Sequence, residues 1–300
     1  MPDVRQVLPL DFCLEGFRLI RQRPYLIAFW GTITLFGNAV AILLAVALSG
    51  PAIQSLATAA TRAPLPPDLL LLLLQAALPG VAAFLAISAV TASVVTAAVC
   101  RAVAGDSERL GFLQFGMREI RLCVVNLTML VFSLAIILAC FIVAGIPAAL
   151  FTTVPGAMSA FAALATLAAA GLVFWLRVRL SLNVPQTFAT QRIDIFGSFK
   201  LTRDLFRQLA FGYAGAFALA IVVELLCAQV TGAILMLIFG DITKPDLATL
   251  TAFLTPANTV DLVLTHLIVS PLVAAILYGA PVSAYARISG QIADQQVQRV

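Results

Sequence analysis

The chain reads as an all-α polytopic membrane protein of six transmembrane helices, and three observations in the sequence predict this. First, 62% of its 300 residues are hydrophobic and only 11% are charged, whereas a water-soluble domain runs near half apolar and about a quarter charged. No single soluble core accommodates such an excess. Second, the apolar residues gather into six stretches, each long enough for the roughly 20 residues that cross a hydrocarbon layer. Third, the Lys and Arg residues crowd into alternate connecting segments, the asymmetry by which the positive-inside rule assigns orientation.

Span one is expected from Tyr25 to Leu48. Its end, Ala47 to Gly50, has the small residues of a signal-peptide cleavage region, but the run exceeds the roughly 7 to 15 residues of such a peptide's apolar core. It therefore reads as a retained span. Span two is expected from Leu78 to Cys100, after an unbroken leucine run, Leu69 to Leu74. That run reads either as a helix lying at the outer surface or as an extension of the span, with Pro79 near the boundary. Span three covers Leu122 to Phe151. Span four, Ala157 to Leu176, is dense in alanine as far as Gly171, which suits close helix packing, and it ends in the interfacial pair Phe174 and Trp175. Spans five and six are expected from Leu209 to Leu237 and from Thr259 to Ala284. No low-complexity linker divides the chain, so residues 1–300 read as a single transmembrane domain with short outer loops marked by Pro64, Pro66, Pro67 and Lys244-Pro245.

The basic residues explain the net charge of +4 without nucleic acid as a partner. Arg5, Arg18, Arg21 and Arg23 precede span one. Arg101, Arg109, Arg118 and Arg121 separate spans two and three. Arg177, Arg179, Arg192, Lys200, Arg203 and Arg207 separate spans four and five, and the tail adds Arg287 and Arg299. The alternate loops hold only Arg62 and Lys244. Both termini are therefore expected in the cytoplasm of a bacterial-type inner membrane, in agreement with an even number of spans. The five cysteines, Cys13, Cys100, Cys123, Cys140 and Cys227, show neither CxxC nor Cys/His metal spacing, so no disulfide framework, metal site or cofactor is expected.

Each basic segment before an odd-numbered span carries a similar short pattern: Phe17-Arg18-Leu19-Ile20-Arg21, Phe115-Gly116-Met117-Arg118-Glu119 and Phe199-Lys200-Leu201-Thr202-Arg203. They read as three short cytoplasmic in-plane amphipathic helices, each leading into a two-span hairpin, that is, as three parallel helical-hairpin repeats. The alternative is convergence, because every chain segment that enters a membrane from the cytoplasm needs an aromatic and some arginines at the interface.

The stretch Arg179-Leu180-Ser181-Leu182, Pro185, Ser198-Phe199-Lys200-Leu201-Thr202-Arg203 and Phe206 resembles the membrane domain that accompanies some bacterial glycerophosphoryl diester phosphodiesterases, and its stand-alone inner-membrane relatives. In that family a Ser-Trp-x-Leu-Thr-Arg-Gly pattern follows a long helix and a proline. Here Phe199 stands for the Trp and Asp204 for the Gly. The specific part covers under a tenth of the chain, and the six-span layout extends it loosely over the rest. The resemblance implies a fold and a compartment and little about activity, since the phosphodiesterase chemistry of the larger proteins belongs to a soluble barrel that these 300 residues do not encode.

An ionisable group inside a span is a functional-site candidate because its charge is costly there. Glu224 sits mid-way along span five on a small, weakly polar face with Ala220, Cys227, Ala228 and Thr231, which points to packing against neighbouring helices. Unpaired at that depth its carboxyl is expected to be neutral at pH 7. His266, the sole histidine, lies in span six with Ser270 one turn on and Pro271 beyond, where the proline bends the helix. Asn38 in span one and Asn126 in span three are the other intramembrane polar candidates. For each of these the plainer role is a hydrogen bond within the bundle, and the functional one a relay or a ligand contact. Arg18, Arg21, Arg118, Arg121, Lys200, Arg203 and Arg207 are candidates for anionic lipid headgroups, each worth about 1 kcal/mol near a charged surface. Setting topology is their alternative role.

No GxSxG, HExxH, Walker loop or paired carboxylates appear. The expected function is a non-enzymatic integral inner-membrane protein, acting in envelope or lipid homeostasis or as the membrane-embedded partner of another protein, with membrane lipids, including anionic phospholipid, as partners. The alternative is a small-molecule or ion transporter or channel with a path past Glu224. A third reading, an intramembrane enzyme, requires Glu224 and His266 within hydrogen-bond reach.

Overall fold

The computed structural model describes residues 10–60, 67–105, 110–114, 116–150, 156–240 and 247–297. Arg5, Arg62, Pro64, Pro66, Arg109, Phe115, Phe151, Lys244, Pro245 and Arg299 of the sequence reading lie outside them. Among the described residues every regular element is helical. A 3₁₀ turn at Leu10–Leu14 leads into α1 (Glu15–Gln22), followed by α2 (Leu26–Ala60) and α3 (Pro67–Ala104). After a 3₁₀ turn at Leu110–Phe112 come α4 (Met117–Leu150), α5 (Ala157–Arg179), α6 (Asn183–Thr190), α7 (Gly197–Thr202) and α8 (Phe206–Phe239). Then α9 (Leu250–Phe253) and α10 (Pro256–Leu264) run into a π-helical turn, Thr265–Val269, and into α11 (Ser270–Val297).

Six segments are long and apolar enough to cross a membrane: Leu26–Ala59, Asp68–Ala104, Met117–Pro147, Ser159–Thr190, Phe206–Phe239 and Pro256–Gly290. They match the six expected spans in number and order and extend beyond most of their ends, while the third stops at Pro147 and the fourth starts at Ser159, inside the expected bounds. Leucine and alanine supply the helix propensity. Inside these apolar helices hydroxyls turn back on their own backbone, Thr32 to the Ala28 carbonyl, Ser93 to Ala89, Thr96 to Ala92 and Ser133 to Met129, which keeps these four groups from facing hydrocarbon unpaired. Large apolar side chains remain exposed, among them Leu71, Leu72, Leu138, Val143, Leu226 and Leu237. Water would penalise that surface and lipid tails would not.

The chain divides into two units. One comprises Leu14–Phe115 and Ala216–Gly279. Within it α2 packs along α3, burying Ala41, Ala45 and Val46 on the one and Val94, Val95 and Ala98 on the other. The leucine run is continuous with span two: α3 begins at Pro67 and runs unbroken through Pro79, so Pro79 ends no helix. The reason lies in the next residue. Gly80 donates its N–H to Ser49 Oγ at 3.0 Å, and a methyl group there would stand 2.7 Å from the Ala45 carbonyl oxygen, so the Pro79-Gly80 step is a close helix crossing. The turn after α3 is held from three sides. Trp30, fully buried, donates Nε1–H to the Gly111 carbonyl at 2.9 Å; Arg101, 3% exposed, donates Nη1–H to the Phe112 carbonyl at 3.0 Å; and Arg23 lies 5.4 Å from the Phe112 ring centroid. Phe112 takes φ +64°, a left-handed conformation that costs a bulky residue energy and persists only where its surroundings over-determine it.

The other unit comprises Met1–Cys13, Gly116–Gly215 and Ala280–Val300. Here α4 packs on α5 and α6, and α7 lies against α5 and α6. Buried Phe12 meets the Tyr213 ring edge-on, centroids 5.7 Å apart.

Of the three expected short helices, α1 and α7 are separate elements. The middle one is absent as such: Met117, Arg118 and Glu119 form the first turn of α4. The amphipathic character of α1 is plain, with Leu19 and Ile20 buried and Phe17, Arg18 and Arg21 exposed.

Candidate functional site

Glu224 is exposed on α8. Ala220 and Thr231 are buried and Cys227 is half-buried, but Ala228, one turn beyond Glu224, is exposed as well. The carboxyl thus sits at the edge of the buried stripe, outside the packed face expected for it, and it makes no hydrogen bond or ion pair among the described residues. His266 is half-buried at the start of the π-helical turn. Its Nδ1 and Ser270 Oγ are 3.1 Å apart, and its carbonyl accepts the Thr34 hydroxyl from α2. The bend expected from Pro271 takes this form: the helix inserts one π turn just before the proline, and Gly31 of α2 lets the backbone at Leu267 approach directly. No hydrogen bond joins Glu224 to His266 among the described residues. Asn38 is half-buried, with Oδ1 at a long 3.5 Å from the Ser88 hydroxyl of α3. Asn126 is half-buried in α4, in the unit that contains neither Glu224 nor His266, and has a partner of its own.

The basic candidates separate by environment. Arg18 pairs with Glu15 at 3.2 Å, and Arg118 lies 5.3 Å from the Phe188 ring centroid. Arg121 is half-buried, whereas Arg21, Lys200, Arg203 and Arg207 are exposed.

The most unusual chemistry lies where the family-like stretch folds, at the end of α5. The Arg179 carbonyl has lost its helical partner, since the Asn183 N–H bonds instead to the Leu180 carbonyl at 3.1 Å. Two α7 hydroxyls replace it: Ser198 Oγ donates to the Arg179 carbonyl at 2.9 Å, and Thr202 Oγ stands 3.2 Å from the same oxygen. Helix ends need such partners, so the serine of the motif caps α5, with the threonine hydroxyl within reach of the same oxygen. Both are fully buried. In the same part of the protein five buried polar atoms have no hydrogen-bond partner among the described residues: Arg179 Nε, Asn183 Nδ2, Gln186 Oε1, Thr187 Oγ and Tyr213 OH. Ser181, the polar neighbour of the tyrosine hydroxyl, gives its own proton to the Val178 carbonyl at 2.9 Å. Asn183 and Thr187, only 1% and 2% exposed, stand one turn apart on α6. Arg179 lies over the Phe206 ring at 4.7 Å, and Tyr213 follows Phe206 by two turns of α8. Four of the five therefore lie on residues 179–187, and the fifth, on α8, has its hydroxyl beside Ser181 of the same stretch. Each orphaned group costs about 1–3 kcal/mol. The sequence reading singled out this stretch for its motif and missed these groups, because Asn, Gln and Thr near a span end read as ordinary interfacial polarity.

Fold and surface define the class: this is an all-α, multi-pass membrane protein. No protein-family model, curated protein or solved structure matches the chain.

Proposed function

We propose that the chain is a non-enzymatic protein of a bacterial inner membrane, with both termini in the cytoplasm, that contacts anionic phospholipid and acts in envelope or lipid homeostasis or as the membrane-embedded partner of another protein. The arginine asymmetry supports the orientation, and the likeness of 179–206 to the phosphodiesterase-associated membrane domain supports the compartment. One observation carries the lipid reading. Lys200, Arg203 and Arg207 are exposed at the start of span five and make no ion pair among the described residues. Exposed Phe196 and Trp175 stand in the same region of chain, an arrangement of cations and aromatic rings suited to a headgroup layer.

The test is lipid selection by the full chain in nanodiscs that contain phosphatidylcholine with or without phosphatidylglycerol. Native mass spectrometry of the extracted complex is expected to show anionic lipid enriched and lost in high salt, and the double variant Arg203→Glu, Arg207→Glu is expected to abolish the enrichment. Equal retention of both lipids by the unaltered protein would sink the reading.

A second reading, transport past Glu224, draws on the exposed, unpartnered carboxyl in mid-span, which awaits water, a solute or another chain. It predicts solute or proton flux in liposomes that falls at least tenfold in Glu224→Gln. Equal flux in protein-free liposomes removes it.

A further inference from the structure

The five partnerless atoms at the end of α5 share a chemical bias. Arg179 Nε and Asn183 Nδ2 donate, the Thr187 and Tyr213 hydroxyls donate or accept, and only Gln186 Oε1 is restricted to accepting. The one formal charge among them is the Arg179 cation. Its contact with the Phe206 ring engages that charge without using an N–H, and no carboxylate pairs with Arg179 among the described residues. Glu119, the buried carboxylate of neighbouring α4, has an interaction of its own. A positive site with surplus donors, removed from water, is complementary to an oxyanion.

We propose that these five groups bind a phosphate group, either the headgroup phosphate of an anionic phospholipid or a free phosphate ion. Arg179, Asn183, Thr187 and Tyr213 donate to its oxygens. Gln186 Oε1 accepts from a hydroxyl, that of a glycerol headgroup or of a singly protonated phosphate. The position favours such a ligand: the site follows Trp175 and Arg177, where span four reaches its aromatic and basic margin, the depth of lipid phosphates. Of the two sources, the lipid headgroup rests on the function proposed above and the free ion does not. The site is also separate from the exposed Arg203 and Arg207, which attract lipid by charge alone.

The experiment uses the full chain, delipidated in a zwitterionic detergent, and two variants that each delete one partnerless hydroxyl, Thr187→Val and Tyr213→Phe. Neither hydroxyl supports the fold, so both variants are expected to melt at or above the temperature of the unaltered protein when nothing is bound. Two probes are titrated separately, inorganic phosphate and phosphatidylglycerol, and binding is followed by the rise in melting temperature and by native mass spectrometry. Saturable binding of inorganic phosphate, about tenfold weaker in each variant, supports the site with a free ion as its ligand. Binding of phosphatidylglycerol alone, with the same loss, supports it with a lipid ligand. Arg203→Glu, Arg207→Glu is expected to leave this binding within twofold while removing the surface enrichment, so the two proposals fail separately. Absence of binding by either probe, or binding that Thr187→Val and Tyr213→Phe together leave within twofold, overturns the proposal and assigns the five groups to trapped water.

Discussion

The cap on α5 permits a quantitative test, because two hydroxyls compete for one carbonyl. Thr202 has a single proton. Its oxygen is 2.9 Å from the Ser198 carbonyl and 3.2 Å from the Arg179 carbonyl, so the shorter bond inside α7 holds it, and Ser198 caps α5. Thr202→Val removes only that internal bond and should cost about 0.5–1 kcal/mol. Ser198→Ala frees the Arg179 carbonyl, but the Thr202 proton then turns to it, and the cost should also stay near 1 kcal/mol. With both hydroxyls gone, a buried carbonyl loses every partner it has. The double variant should therefore cost about 3–4 kcal/mol, a coupling of about 1–2 kcal/mol between adjacent groups. Equilibrium unfolding in mixed micelles, read by tryptophan fluorescence across the double-mutant cycle, measures it. Strict additivity, or a Thr202→Val cost equal to that of the double variant, would refute the argument that the two hydroxyls substitute for each other.

Further perturbations test other parts of the fold. Trp30→Phe keeps an aromatic but strands the Gly111 carbonyl, now bonded at 2.9 Å, and should destabilise by about 1–3 kcal/mol; a melting temperature within a degree of the unaltered protein would contradict this. Gly31→Ala drives a methyl into the Leu267 backbone, where no side-chain rotation relieves it, and is expected to cost about 3 kcal/mol or more, seen as loss of monodisperse protein on size-exclusion chromatography. Glu224→Gln alters an exposed group without a partner and should shift stability by under about 0.5 kcal/mol; a large loss would mean that the carboxylate is paired. Burial, reinforced by the Asp11 carboxylate, raises the Cys13 thiol above its ordinary 9.0. The proton is then held more tightly in the folded chain, so this group's contribution to stability is present below the unfolded pKa and is lost as pH rises through the folded one. In a variant with Cys13 as its sole cysteine, maleimide labelling should reach half its maximal rate above the pH found for the same chain in urea.

The six spans were legible because hydrocarbon imposes a length and a polarity that any sequence must display. Helix ends were less so. Pro79 reads as lying near a span boundary, yet α3 runs through it, because Gly80 and Ser49 complete a crossing that only the third dimension supplies. The π turn at Thr265–Val269 escaped for a similar reason. Pro271 announces a disturbance, but its form depends on Gly31 and Thr34 of α2, some 230 positions away. Arg101 shows the limit of counting charges, since it reads as a topology signal and is spent inside the protein on the Phe112 carbonyl.

The candidate site was legible in the opposite sense. Sequence reasoning looks for charges at mid-span, because they are costly there, and so it selects Glu224 and His266. Of these, His266 has a partner in Ser270, and Glu224 is exposed with none among the described residues. Neither is a buried group left without a bond. The buried groups that lack one are neutral amides and hydroxyls beside a single arginine, and what distinguishes them is that they are buried without a partner at the end of α5, on α6 and on α8. The residues that carry the family likeness and those that lack partners share this segment, yet they do different work. Ser198 and Thr202 are satisfied and hold the end of α5, whereas Asn183 and Thr187 are unsatisfied and held in place by it. A motif search therefore reads the scaffold of this site, and its chemistry shows only when each buried donor is asked for its acceptor.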